Sequence, residues 1–301
     1  MNNRLNVSIA GVELQNPVIT ASGTFNSGRE YSRFIDLNRL GAITVKGVSH
    51  EPWAGNPSPR TAETYGGMLN AVGLQNSGAA AFIRDDLPFM RKYSAKIIVN
   101  ICGKTMEEYI AVARDFKGVD IDLIELNVSC PNVKEGGMAF GTDPTHTKAV
   151  TQAVKLHSTA PVIVKLSPNV TNIAEIAKAA EAGGADAISL INTLQGMAID
   201  IHRRKPVLGF KFGGLSGPAI KPVALRMVYQ VAQAVQIPII GMGGIATGED
   251  AIEFIMAGAT AVAVGTANFA NPLATMEILD GIEEFMDKYN VQHISEIRGC
   301  V

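Results

Sequence analysis

The feature that most constrains this chain is a recurrence. A short apolar run ends in a small or polar residue and gives way to an amphipathic segment. The runs stand at 17–20, 42–45, 97–99, 123–126, 162–164, 187–191, 237–240 and 261–264, eight in all. Apolar residues at helical spacing follow several of them, at 106–116, 144–157, 173–182, 218–235, 249–257 and 272–288. Runs without polar alternation mark strands buried on both faces, as in a parallel sheet covered by helices. AGGAD at 182–186 and AGAT at 257–260 put glycine where a helix ends and the next strand begins. Eight such units in 301 residues predict an α/β protein, a (β/α)8 TIM barrel forming one domain over 1–301. A doubly wound open sheet is the alternative, and it lacks its signature, because no GxGxxG follows the first run. The connections 47–96 and 196–216 are too long for plain loops, and such segments commonly serve as lids or binding loops. Residues 3–13 predict a small N-terminal hairpin.

Charge and cysteine usage narrow the function classes. A formal net charge of −2 gives no basic field, which speaks against nucleic acid as a partner. Cys102, Cys130 and Cys300 are an odd, scattered set with no CxxC and no metal-ligand spacing, so neither a disulfide framework nor a metal site is expected. Cys102 and Cys300 read as buried, reduced thiols. The opening MNNRLNVSIAGVELQN has no continuous apolar region of the signal-peptide kind, and no window reaches the length of a membrane span. The expected location is the cytoplasm.

In a barrel of this type the active site is built at the C-terminal ends of the strands. Those positions hold Ser22 and Gly23, Lys46 and Gly47, Asn100, Asn127 and Cys130, Lys165, Asn192 and Thr193, Gly243 and Gly244, and Gly265 and Thr266. The set contains amides, lysines, hydroxyls and glycines but no acid, so it suits an electron-rich, anionic ligand. GMGGI at 241–245 and VGTA at 264–267 follow the last two runs, where barrels often bind phosphate on backbone N–H groups and a helix N-terminus. Residues 127–137, NVSCPNVKEGG, place Cys130 where the fourth run breaks into a glycine-rich loop. Met197 and His202 lie in the second long connection, where His202 reads as a solvated loop residue. Trp53, in EPWAGNPSP, either covers apolar surface or meets a partner.

Longer motifs run through nearly the whole chain: ASGTF (21–25), TVKG (44–47), GMLNAVGLQN (67–76), NVSCPN (127–132), VKLSPN (164–169), INTLQGMAID (191–200), GGLSGPAIKP (213–222), GMGGI and VGTANF (264–269). Together they resemble dihydroorotate dehydrogenase, and among its branches the class 1B catalytic subunit, an FMN-containing barrel. The Cys-Pro-Asn loop followed by KEGGMAFGTD sets this branch apart from relatives with a serine base.

The resemblance implies oxidation of (S)-dihydroorotate to orotate in de novo pyrimidine (UMP) biosynthesis, with hydride passing to FMN and Cys130 acting as the base. It implies FMN contacts at Ser22, Lys46, Gly47, Asn100, Asn127, Lys165, Ile191, Gly217, Gly243, Gly244, Gly265 and Thr266. It implies substrate contacts at Lys46, Asn70, Ala71, Val72, Gly73, Leu74, Asn127, Asn192 and Thr193. Amides suit a pyrimidine dione because one side chain carries both a donor and an acceptor. This chain has no usual NAD fingerprint, and its three cysteines are too few for an iron–sulfur cluster, which takes four. The resemblance therefore implies an electron-transfer partner subunit carrying FAD and a 2Fe-2S cluster, delivering electrons to NAD+, around a homodimer of this chain within a heterotetramer. The alternatives are a fumarate-dependent class 1A homodimer, a Schiff-base aldolase using Lys46 or Lys165, and a non-catalytic phosphate- or nucleotide-binding barrel.

Overall fold

Eight parallel strands close on themselves in chain order in the computed structural model, which describes residues 3–129, 131–132 and 138–301. They are β1 (Val18–Thr20), β2 (Ala42–Thr44), β3 (Lys96–Ile101), β4 (Leu123–Asn127), β5 (Val162–Lys165), β6 (Ala187–Leu190), β7 (Ile239–Met242) and β8 (Ala261–Val264). β8 pairs with β1 through Val262 opposite Val18 and Val264 opposite Thr20, so the barrel has no free edge. Apart from the first residue of β3, every barrel-strand residue is buried, which is why the runs show no polar alternation. The predicted (β/α)8 fold is the one observed.

The helices lie where the spacing places them: α1 (Met106–Asp115), α2 (Pro144–His157), α3 (Ile173–Ala182), α4 (Lys221–Ala232), α5 (Gly248–Met256) and α6 (Ala274–Lys288). Thr105, Asp143, Asn172 and Thr247 start α1, α2, α3 and α5, each side chain accepting from a backbone N–H two or three residues on. α4 begins later than 218 because Pro218–Ile220 forms a 3-10 turn first. β7 begins two residues after its apolar run does. Pro238 has no N–H to give a ladder; its carbonyl accepts from Ile188, and Gly241 and Met242 pair with Leu190 and Ala263 instead.

The N-terminal hairpin forms from Val7–Ile9 and Val12–Leu14. Ala10 and Gly11 both take positive φ, 54° and 82°, the backbone a two-residue primed turn demands. The two long connections are more than loops. Leu194–Met197, Phe212–Ser216, Gly67–Asn70 and Thr61–Thr64 form, in that order, a four-stranded antiparallel sheet that ties the C-terminal end of β2 to that of β6. Leu69, Ala71 and Leu208 make its small apolar core. Cys102 is buried as expected, whereas Cys300 is exposed beyond the final 3-10 turn, Ile294–Ile297, against the burial expected of it. Among the described residues no helix is long and apolar enough to cross a membrane.

Candidate active site

The site starts one layer below the strand ends. Alternation along β4 turns Glu125 and Asn127 the same way. Glu125 stands opposite Asn100 in the β3–β4 ladder, and Lys165 stands opposite both Asn127 and Ser189. The Glu125 carboxylate accepts from Asn100 Nδ2 at 2.5 Å and from Ser189 Oγ at 2.7 Å, with Lys165 Nζ at 3.9 Å. Lys165 in turn donates to Ser22 Oγ at 3.0 Å. Glu125 is only 2% exposed and Lys165 4%. Charges so deeply placed persist only with partners and hydrogen bonds, and here each has them. Strands β3, β4, β5 and β6 and the turn after β1 are thereby joined by one polar network.

Lys46 follows β2. Burial pushes its pKa down; the nearby Cys102 works against that, and the positive charge of Lys165 adds to it. A Cβ on Gly23, whose φ is +84°, would lie 3.2 Å from Lys46 Nζ. A Cβ on Gly47 would meet Asn100 Oδ1 and Leu74 Cδ2, each at 3.1 Å. The ends of β1 and β2, the Asn100 side chain of β3 and the first insertion therefore converge closely. Asn100 Oδ1 is buried and has no hydrogen-bond partner among the described residues. Lys46 also lines a cavity of about 330 Å3 with Asn26, Trp53, Gln75, Asn76 and Phe82. A larger cavity, about 430 Å3 beside His50, Arg84 and Asp115, includes none of the strand-end residues.

Across the mouth, Asn127 Oδ1 accepts from Ser129 N at 3.1 Å and Asn192 Nδ2 at 3.5 Å. Asn192 Nδ2 also donates to Ser129 Oγ at 2.9 Å, and its Oδ1 accepts from Thr193 N at 2.8 Å. The Tyr109 hydroxyl, from α1, donates to the Asn127 carbonyl at 2.7 Å and so fixes the end of β4. Thr193 packs directly on Gly214, and Asn70 Nδ2 donates to the Gly214 carbonyl at 3.4 Å. Ala71 and Val72 bond to Arg60 and Asn56, and Gly73 lies against Asn56. Leu74 is the member of this segment that reaches a barrel-strand end, at Gly47.

On the β6–β7 side, Gly217, Gly243 and Gly244 have φ of +106°, +128° and +81°. A Cβ on Gly244 would fall 2.8 Å from Lys221 Cβ and 2.9 Å from the Gly217 carbonyl; one on Gly243 would fall 2.6 Å from Ala224 Cβ and 3.2 Å from Ile191 Cγ1. Only glycine suits these positions, on both backbone and space grounds. They gather the ends of β6 and β7 at the start of α4, while Gly265 and Thr266 lead from β8 into the short helix Ala267–Ala270. A buried lysine and a partly buried one, a buried acceptor with no partner among the described residues and this glycine cradle suit a phosphate-bearing planar heterocycle with N–H and C=O edges.

Most of the residues expected at the site thus stand around one barrel mouth, while Asn70 bonds within the insertion sheet and Ala71–Gly73 lie against Arg60 and Asn56 of the first insertion. Cys130 lies outside the described residues. Three contributors escaped the sequence reading: Glu125, Ser189 and Tyr109. The available signal was a charge inside the run DLIEL. The strand-end residues singled out from the sequence include no acid, but the layer beneath them does, at Glu125. His202 is exposed, as expected, and Trp53 is half-buried with Lys104 Nζ 4.4 Å from its ring centroid.

A family model described as dihydroorotate dehydrogenase matches residues 4–286. A protein of Alkaliphilus oremlandii named dihydroorotate dehydrogenase B (NAD(+)), catalytic subunit, is 70% identical over 295 residues, covering 98% of each chain. Proteins of the same name from Alkaliphilus metalliredigens and Lachnoclostridium phytofermentans are 66% identical over 297 residues and 64% identical over 296. The first covers 99% of this chain and 98% of its own, the second 98% and 99%.

Proposed function

The chain belongs to the dihydroorotate dehydrogenase family, and from that premise we propose that it is the catalytic subunit of an NAD+-linked enzyme oxidising (S)-dihydroorotate to orotate in pyrimidine biosynthesis. FMN, when bound, supplies the acceptor for the hydride leaving C6 of the substrate. The chain's own residues do the rest. Cys130 takes the proton from C5 as general base. An ordinary thiol, with a pKa of about 8.5, is only a few per cent thiolate near neutrality, so positive charge beside it would raise the reactive fraction.

With FMN bound, Lys46 and Lys165 would supply the cations that stabilise the negative charge of the reduced ring, and Ser22 and Glu125 hold Lys165 in place. Asn100 would offer its buried carbonyl to the ring system, and Gly47 and Ile191 would be among the residues that hold it. Gly217, Gly243, Gly244, Gly265 and Thr266 would hold the phosphate on backbone N–H groups. Lys46, Asn127, Asn192 and Thr193, with the segment Asn70, Ala71, Val72, Gly73 and Leu74, read the pyrimidine edge and its carboxylate. A partner subunit carrying FAD and a 2Fe-2S cluster passes the electrons to NAD+, in a cytoplasmic heterotetramer built around a homodimer of this single-domain chain. The relatives' name, a catalytic subunit of an NAD(+) enzyme, supports that division of labour.

The observation that carries the reading is that Asn100 and Lys165 meet at the buried Glu125 carboxylate, with Lys46 near enough to feel the charge of Lys165 and with Asn100 Oδ1 buried and lacking a partner among the described residues. The test is to purify the chain, record its absorption spectrum and add dihydroorotate without oxygen. A yellow protein that bleaches on addition supports the reading, and a chain that takes up no flavin defeats it. Alone, the chain should reduce artificial dyes but not NAD+; robust NAD+ reduction without a second subunit would defeat the two-subunit scheme.

A further inference from the structure

Glu125 is the buried charge that the family reading leaves without a task of its own. Interiors of such barrels are ordinarily filled by branched apolar side chains, and a carboxylate there needs a reason. Two consequences follow from its chemistry. An ionised carboxylate only accepts hydrogen bonds, so Asn100 must meet it with its NH2 group. The Asn100 carbonyl oxygen is then turned away, and it is this oxygen that lies buried below Gly47 without a partner among the described residues. With an amide or a hydroxyl in place of the carboxylate, Asn100 would be free to present either end. The second consequence is electrostatic. The carboxylate lies 3.9 Å from Lys165 Nζ, whose hydroxyl contact is Ser22 in the turn that follows β1. It offsets part of the positive charge that Lys46 and Lys165 together bring to the site.

We propose that Glu125 is a positioning residue for the flavin. It fixes Asn100 as an acceptor toward the ring's N–H edge, and it sets the net charge the ring meets, so that it governs both the grip on FMN and its reduction potential. The inference rests on the FMN reading above and concerns a residue which that reading does not require to touch the cofactor.

Glu125→Gln keeps the shape, removes the charge and adds a donor. Asn100 can then turn its carbonyl to the glutamine and present NH2 to an N–H edge. The FMN dissociation constant, measured by titrating stripped protein, should rise at least about tenfold. With a negative charge gone, the reduced ring is favoured, and the midpoint potential of bound FMN should rise by at least about 30 mV, tenfold for a two-electron couple. Glu125→Asp keeps the charge but withdraws it from Asn100. FMN should bind at least about tenfold more weakly while its potential stays within about 10 mV of wild type, a third of that step. Where the glutamine variant does not fold, the aspartate variant decides alone. Wild-type affinity and potential in a folded Glu125→Gln protein overturn the inference, as does wild-type affinity in Glu125→Asp. A wild-type chain without flavin sinks the parent reading and this one with it; flavin-loaded wild type with unaltered variants sinks only this one.

Discussion

Lys165 and Glu125 offer a sharp energetic test of the barrel interior. At 3.9 Å, with the effective dielectric of about 20 that suits protein interiors, their attraction is about 4 kcal/mol. Lys165→Met removes the ammonium and leaves the carboxylate with Asn100 and Ser189 alone, which should destabilise the FMN-free protein by about 3–5 kcal/mol. Glu125→Gln strands the ammonium beside Ser22 and should cost a similar amount, again about 3–5 kcal/mol. The double variant removes both charges together. Replacing a buried pair outright is often close to neutral, so its cost should fall short of the summed single costs by at least about 3 kcal/mol. Urea unfolding of all four proteins, stripped of flavin and followed by circular dichroism, gives the cycle. Costs that add to within about 0.5 kcal/mol would mean that the two groups do not interact, and the polar network drawn here would be wrong.

Three further outcomes follow from the same geometry. Cys130→Ala should retain FMN yet lose about 10²–10⁴ in flavin reduction by dihydroorotate, the usual worth of a general base; stopped-flow bleaching at the wild-type rate would remove Cys130 from that role. Gly244→Ala forces a left-handed alanine against Lys221 and the Gly217 carbonyl, so it should cost about 2–4 kcal/mol of stability and loosen FMN more than it loosens free riboflavin, which lacks the phosphate; equal losses for the two ligands would deny the phosphate cradle. Because burial lowers the Lys46 pKa, its ammonium is present below that lowered value and lost as pH rises through it. Orotate affinity, read from the flavin spectral shift, should therefore fall before pH ~10.4, the ordinary lysine value; a profile flat to that point would exclude Lys46 as the cationic contact. For stability the sign is the reverse. The folded protein holds the Lys46 proton less tightly than the unfolded chain does, so the destabilising contribution present at low pH fades as pH rises from the folded toward the unfolded pKa.

How much of this could be read from the chain alone depends on whether each signal is local. Buried parallel strands announce themselves as apolar runs, and all eight were legible, as were the glycines that end the helices before β6 and β8; the N-cap residues Thr105, Asp143, Asn172 and Thr247 were not singled out. β7 was misplaced by two residues because Ile237 and Pro238 are apolar without belonging to the ladder, whereas Gly241 and Met242 belong to it. The sheet over the two insertions was not legible. Thr61–Thr64 and Gly67–Asn70 are short and mixed in character, and the partner of Asn70 is Gly214, far away in sequence. Strand ends such as Lys46, Asn127 and Lys165 were found from fold position alone, since a barrel fixes where its strands open. Asn70, Ile191 and Gly217 came only through family resemblance, because nothing in their local pattern marks them. Glu125 shows the limit most plainly. Its neighbours in sequence are apolar, and its meaning lies in Asn100, Ser189 and Lys165 on three other strands.

The central claim is that one barrel mouth holds an isoalloxazine ring beside Lys46, Asn100 and Lys165, with Cys130 on the opposite side of a flat pyrimidine. A crystal structure of the chain grown with orotate tests this directly. The account predicts the ring within hydrogen-bond reach of Asn100 Oδ1, its phosphate at Gly244 and Gly265, and Cys130 Sγ over the orotate face turned away from the flavin. Density for the flavin elsewhere, or a Cys130 sulfur packed into the apolar interior, would contradict it.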